Sequence, residues 1–358
     1  MVDPRITKEA EILINHSVCV KKGEYVIVAG NVDAKELMLE LYRLIIKKGA
    51  YPSLKVGLPG TSYIYYKNAS DEQLNKFPDI SFNEIKKTQC YIGIHSDSNT
   101  RELTNIDPKK ISIRGKVTNP ISDYIVNQRD KIKRCSTLFP TQALAQEADM
   151  SLQEYEDFVF NAVIQDWNKL KKRFVYLRDQ LNKAKKIRII GEDTDITLNV
   201  YKKSFVADSG EENLPGGEIF CAPEPKSING HIRFTYPAIR SGVEVTNIFA
   251  EFKNGKCIKA TADKNEKFLN AMLDTDKGSR YIGELGIGMN PKIDRFTKDL
   301  LFDEKIGGTI HLAFGMAYKE CGQPNNSALH WDIVKDLRKN GQIIADGKVI
   351  QKNGKWLI

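Results

Sequence analysis

Five side chains between residues 218 and 332 could together hold metal: Glu218, Glu284, His311, His330 and Asp332. His330-Trp331-Asp332 puts an imidazole and a carboxylate two residues apart. In an extended segment side chains at i and i+2 point the same way, so one strand could present both to one ion. Alone, an H-x-D pair is weak, because most such pairs are surface contacts or caps. His311 lies in the apolar run 309–314 (TIHLAF), where a single histidine is ordinarily a satisfied core residue. Glu284 sits between Ile282 and Leu285, and Glu218 follows Pro215-Gly216-Gly217 and leads into Ile219-Phe220-Cys221. A carboxylate inside an apolar run is costly to bury without a partner. A salt bridge or a metal ion compensates, and the clustering of the whole set favours metal. Imidazole and carboxylate donors suit zinc, cobalt, manganese or iron and exclude a thiolate structural site. Five donors exceed the need of one tetrahedral ion; a hydrolytic pair of ions about 3.5–4 Å apart would use them all.

Other chemistries find less support. No G-x-S-x-G elbow occurs, and no cysteine has a nucleophile motif around it. Gly283–Gly288 reads G-x-x-G-x-G, the wrong order for a dinucleotide loop, and no P-loop is present. The net charge of +8, from 54 Lys+Arg against 46 Asp+Glu, invites a nucleic-acid reading. The densest basic stretches, 129–134 (RDKIKR) and 169–173 (KLKKR), carry no RNP, KH or zinc-finger pattern, and the second reads as a solvated helix face. No nucleic-acid partner is therefore expected.

The segments NLPGGEIFCAP (213–223), IGELGIGMNP (282–291), LLFDEKIGGTIHLAFGMAY (300–318) and NNSALHWDIVKDLR (325–338) resemble the M29 family of metallo-aminopeptidases, the aminopeptidase T and S group. FPTQALAQEADMSLQEYEDFVF (139–160), GEDTDITLNV (191–200) and DGKVIQKNGKWLI (346–358) extend the resemblance over nearly the whole chain. It implies a ligand set of Glu218, Glu284, His311, Tyr318, His330 and Asp332, with Glu218 or Glu284 bridging two divalent ions and activating a shared water. Tyr318 enters through the resemblance alone. The same likeness implies release of N-terminal residues from peptide substrates with a free N-terminus, and a homodimer. Zinc, cobalt and manganese all suit the set. The alternatives are a peptide-binding homologue without activity and a basic nucleic-acid-binding protein. Asp303, Glu304 and Glu320 read as surface or turn charges, and His16, His95 and His231 as structural.

The elements that must carry these groups follow from periodicity. Residues 6–20 have helical spacing, 25–29 (YVIVA) is a buried strand, Asp33 can cap a helix over 34–48, and 51–56 is the next strand. That strand–helix–strand unit implies a parallel sheet, with 90–95 as a third strand. Ser151 and Glu154 form a capping box opening a long helical stretch to about residue 183. From residue 187 the chain is strand-rich, with a hairpin signal at Asn254-Gly255. The expected fold class is α/β (α+β overall). It comprises an N-terminal α/β domain with a largely parallel sheet over 1–120, a helical connector over 121–185, and a strand-rich catalytic domain with a mixed sheet over 186–358. Six scattered cysteines without a CxxC pair, an N-terminus unlike a signal peptide and no apolar run of membrane-spanning length predict a reduced, cytoplasmic protein.

Overall fold

A computed structural model describes residues 3–240 and 242–358. The chain forms two compact units, Met1–Gln165 with Gly210–Pro215, and Asp166–Ser209 with Gly216–Ile358. Among the described residues no helix is long and apolar enough to cross a membrane.

The first unit is built on a five-stranded parallel sheet in the order Tyr51–Gly57, Tyr25–Asn31, Cys90–His95, Lys133–Leu138 and Asn213–Leu214. Val26, Ile27 and Val28 are buried, as the continuous apolar run requires of a strand covered on both faces. Helix Lys35–Lys47 buries Leu37, Met38, Leu41 and Ile45 along one stripe, while Leu39 faces solvent. Asp33 does not cap it. A 3-10 turn over Val32–Ala34 intervenes and takes Asp33 into the turn, leaving Ala34 at the N-cap with no side-chain bond.

The stretch 121–185 is more than a run of helices. It contains the fourth strand of the parallel sheet, Lys133–Leu138, hidden by the polar composition KRCSTL. The capping box at Ser151 is present, with the Glu154 amide donating to Ser151 Oγ and the Ser151 amide to Glu154 Oε2. The helix it opens stops at Val163, and a second, Trp167–Leu181, starts under an Asp166 cap. That second helix belongs to the other unit.

The second unit holds an eight-stranded sheet and a five-stranded sheet, both built of antiparallel strand pairs. The hairpin at Asn254-Gly255 joins Phe249–Lys253 to Lys256–Thr261, and short links of this kind can join only antiparallel neighbours. The five-stranded sheet runs His330–Asp336, Thr309–Gly315, Ile282–Gly288, Glu218–Cys221, Val206–Asp208. Its Thr309–Gly315 and Ile282–Gly288 strands are buried at every position.

Candidate metal centre

In an antiparallel sheet, residues paired across strands share a face, and the face alternates along each strand. Gly288 pairs with Glu218, Gly286 with His311, Glu284 with Ala313, Ala313 with Asp332 and Gly315 with His330. All five acids and imidazoles singled out from the sequence therefore lie on one face, with small residues between them leaving room. The other face carries Leu285, Ile310, Leu312, Phe314 and Ile333, and Phe314 stacks on Phe252 of the eight-stranded sheet with ring centroids 5.8 Å apart. One face is thus committed to the core and the other to chemistry.

A register shift between Ile282 and Glu284 sets this division. Ile282 pairs with Phe314 on the core face, whereas Glu284, two residues on, pairs with Ala313 on the site face. Without the bulge both would share a face, so the bulge aims the carboxylate into the site. Gly283 sits at the bulge because a Cβ there would lie 2.2 Å from the Met316 carbonyl oxygen. Gly286 is required for a different reason: its Cβ would lie 1.9 Å from His311 Nε2. Gly286→Ala should therefore displace the imidazole. The expected result is a folded protein with metal affinity reduced about 10–100-fold, read by competition with a chromogenic chelator; unchanged affinity would contradict this placement of His311.

His311 Nε2 stands 3.1 Å from Glu284 Oε1, 3.4 Å from Glu218 Oε2 and 4.0 Å from Asp332 Oδ1. His330 Nε2 is 3.2 Å from Asp332 Oδ2. The second nitrogen of each ring is tied to the backbone: His311 Nδ1 donates to the Glu304 carbonyl at 3.1 Å and His330 Nδ1 to the Met316 carbonyl at 2.9 Å. A carbonyl only accepts, so each Nδ1 carries the proton and each Nε2 is left to face the carboxylates. Metal-ligating histidines are held in this way.

The electrostatics call for cations. Burial pushes the carboxyls of Glu218 and Glu284 above the usual range. Burial would lower the His311 pKa, but the Glu284 hydrogen bond and the charges of Asp332 and Glu218 outweigh it and push it up to about 9. His330 is likewise pushed up to about 10 against burial, chiefly by Asp332. Asp332 itself is held at about 2, the His330 charge and hydrogen bond overcoming burial. Glu284 Oε2 and Asp332 Oδ1 are buried without a hydrogen-bond partner. Orphaned carboxylate oxygens beside two oriented imidazoles are the donor chemistry of a divalent-metal site. Glu218, Glu284 and His311 offer donor atoms within 4.8 Å of one another, and so do Glu304, His311 and Asp332.

Tyr318 follows the Thr309–Gly315 strand, its ring 4.9 Å from that of His330 and 6.1 Å from that of Phe220. Burial and the surrounding acids, Glu284 foremost, push its phenol well above the ordinary value. Two of the three acids read as surface or turn charges are not at the surface. Glu304 reaches the centre, and Asp303 is buried, accepting from the Thr297 amide at 2.7 Å and its hydroxyl at 3.0 Å. Glu320 is exposed. Two further groups at the site went unnoticed in the sequence: Asp208, opposite Glu218 in register, and Lys305, fully buried beside it. The signal for the lysine was a charged triplet, Asp303-Glu304-Lys305, set between apolar LLF and the glycine turn. Among the other histidines, His231 lies on the eight-stranded sheet, its ring 5.8 Å from that of Phe249.

Several known proteins are similar to this chain. The thermophilic metalloprotease (M29) family profile matches residues 2–356. Aminopeptidase AmpS of Bacillus subtilis (strain 168) is 26% identical, aligned over 98% of this chain and 98% of its own. Aminopeptidase T of Thermus thermophilus is 25% identical over 99% and 98%. The solved structure of wild-type AmpT from Thermus thermophilus superposes with a TM-score of 0.83 at 21% identity, covering 99% of both chains, a likeness of fold.

Proposed function

Since the chain belongs to the M29 family of metalloproteases, we propose that it is a metal-dependent aminopeptidase that removes N-terminal residues from peptides at a two-metal centre. The observation that carries this reading is the convergence of Glu218, Glu284, His311, His330 and Asp332 from four strands onto one sheet face, with both imidazoles presenting Nε2. The aminopeptidase relatives, aligned over nearly their full length, support the reaction class.

In this reading Glu218, Glu284, His311, Tyr318, His330 and Asp332 hold two divalent ions, with zinc, cobalt and manganese all matching the donors. Bound there, such ions bring the pKa of water toward neutrality and polarise the scissile carbonyl. The chain's own part is to fix the donors. The Glu304 and Met316 carbonyls orient the two rings, the bulge at Gly283 aims Glu284, and Gly286 makes space for His311. Glu218 and Glu284, both buried, would supply carboxylate donors to the ions. A carboxylate near the centre would take the protonated α-amine of the substrate, which would confine cleavage to the terminal bond. A binding protein without activity would be expected to have lost a donor, and all six positions are filled. We also infer a reducing, cytoplasmic setting, consistent with six scattered cysteines that form no CxxC pair, and a homodimer, on the strength of the family resemblance.

Metal removal tests the reading. Stripping the protein with a chelator should abolish release of p-nitroaniline from an aminoacyl p-nitroanilide, and adding back zinc, cobalt or manganese should restore it. Activity that survives in metal-free protein would overturn the proposal.

A further inference from the structure

Lys305 is fully buried, follows helix Leu300–Asp303, and is not a member of the donor set. Its ammonium group contacts the Glu304 carboxylate and stands 3.6 Å from Glu218 Oε1. Lysine is almost never buried without paired charge, and a protonated ammonium has no lone pair to give a metal. A permanent positive charge is thus built into the wall of a site crowded with buried carboxylates.

We propose that Lys305 is a resident cation of the metal centre, offsetting its buried acids when no metal is bound and thereby keeping the empty site folded and moderating its hold on divalent ions. The inference rests on the two-metal reading above and deepens it. Glu218 is the shared element, turned by one oxygen toward Lys305 Nζ and by the other toward His311 Nε2, 3.4 Å away. The ammonium and the ions draw on the same carboxylates, so each weakens the need for the other. Coupling of this kind is reciprocal. Removing the ammonium must destabilise the metal-free protein more than the loaded one, and by the same free energy must tighten metal binding. A lysine that merely fills a hole in the core would destabilise both forms equally and leave affinity unchanged. Lys305 is in this sense a positioning residue, acting through Glu218 and Glu304.

The test compares wild type with Lys305→Met and Lys305→Gln. Thermal melting is followed on chelator-stripped and zinc-loaded protein, and zinc affinity is read by competition with a chromogenic chelator. Both variants should melt well below wild type when stripped and close to it when loaded, and should bind zinc about tenfold more tightly. Equal loss of melting temperature in both forms, unchanged affinity, or failure of both variants to fold even with zinc would each overturn the proposal in favour of a core-filling lysine. Wild type that binds no divalent ion would instead bring down the metal-centre reading, and this inference with it.

Discussion

Glu284→Gln should cut turnover of an aminoacyl p-nitroanilide by on the order of 10³-fold while leaving the far-ultraviolet circular dichroism unchanged. The substitution keeps volume and shape and removes only charge and one acceptor oxygen. Glu284 Oε1 is hydrogen-bonded to His311 Nε2 at 3.1 Å and Oε2 is buried without a hydrogen-bond partner, so one carboxylate oxygen is left for a cation. Bound divalent metal, measured by elemental analysis after gel filtration, should fall alongside activity. Full activity with wild-type metal content would remove Glu284 from the centre.

Glu9→Gln should stabilise the protein by about 3 kcal/mol at pH 7, from the 1.36 kcal/mol carried by each unit of pKa shift. Glu9 is fully buried in helix Pro4–Ile12, where Thr137 Oγ1 donates to its Oε1 at 2.9 Å and Oε2 is without a partner. Burial outweighs that one hydrogen bond and pushes the carboxyl up to about 8. The unfolded chain ionises near the ordinary carboxyl value, so between that value and about 8 it binds fewer protons than the folded chain. The contribution of Glu9 is therefore intact at low pH and is lost as pH rises through about 8. Glutamine has no charge to desolvate, so the gain should vanish near pH 4 and grow toward pH 8. Denaturant melts of both proteins at pH 4, 6 and 8 measure it; a difference independent of pH would show that Glu9 is not kept protonated in the fold.

Much of the site could be read in the sequence because its donors interrupt apolar runs. An imidazole in TIHLAF and a carboxylate in IGELGIG are chemically conspicuous, and both runs are strands. Three-dimensional registry was not visible. Nothing local in Ile282-Gly283-Glu284 indicates that a bulge turns the carboxylate to the face opposite its neighbour two residues back. Lys305 escaped notice and Glu304 was read as a surface or turn charge because short-range logic assigns a charged triplet beside a glycine turn to the surface, whereas Glu218 across the sheet supplies part of their environment. The same division holds for the fold. The parallel sheet follows from alternating strand and helix patterns, but Lys133–Leu138 carries few apolar side chains and Asn213–Leu214 is only two residues long, joining the sheet from far along the chain. The basic surplus proved uninformative about the site: Lys169, Lys171, Lys172 and Arg173 lie exposed on a helix, as their spacing implied.

The scattering of donors over strands Glu218–Cys221, Ile282–Gly288, Thr309–Gly315 and His330–Asp336 has a bearing on how the protein is made. A ribosome delivers the first carboxylate long before the second, and both imidazoles after that. No chain shorter than 332 residues possesses the full set, and because the centre consists of non-local pairings it forms only after the costliest loop closures are complete. Hydrolytic competence is thereby postponed until the five-stranded sheet has closed, which no chain can do before its His330–Asp336 strand has been made.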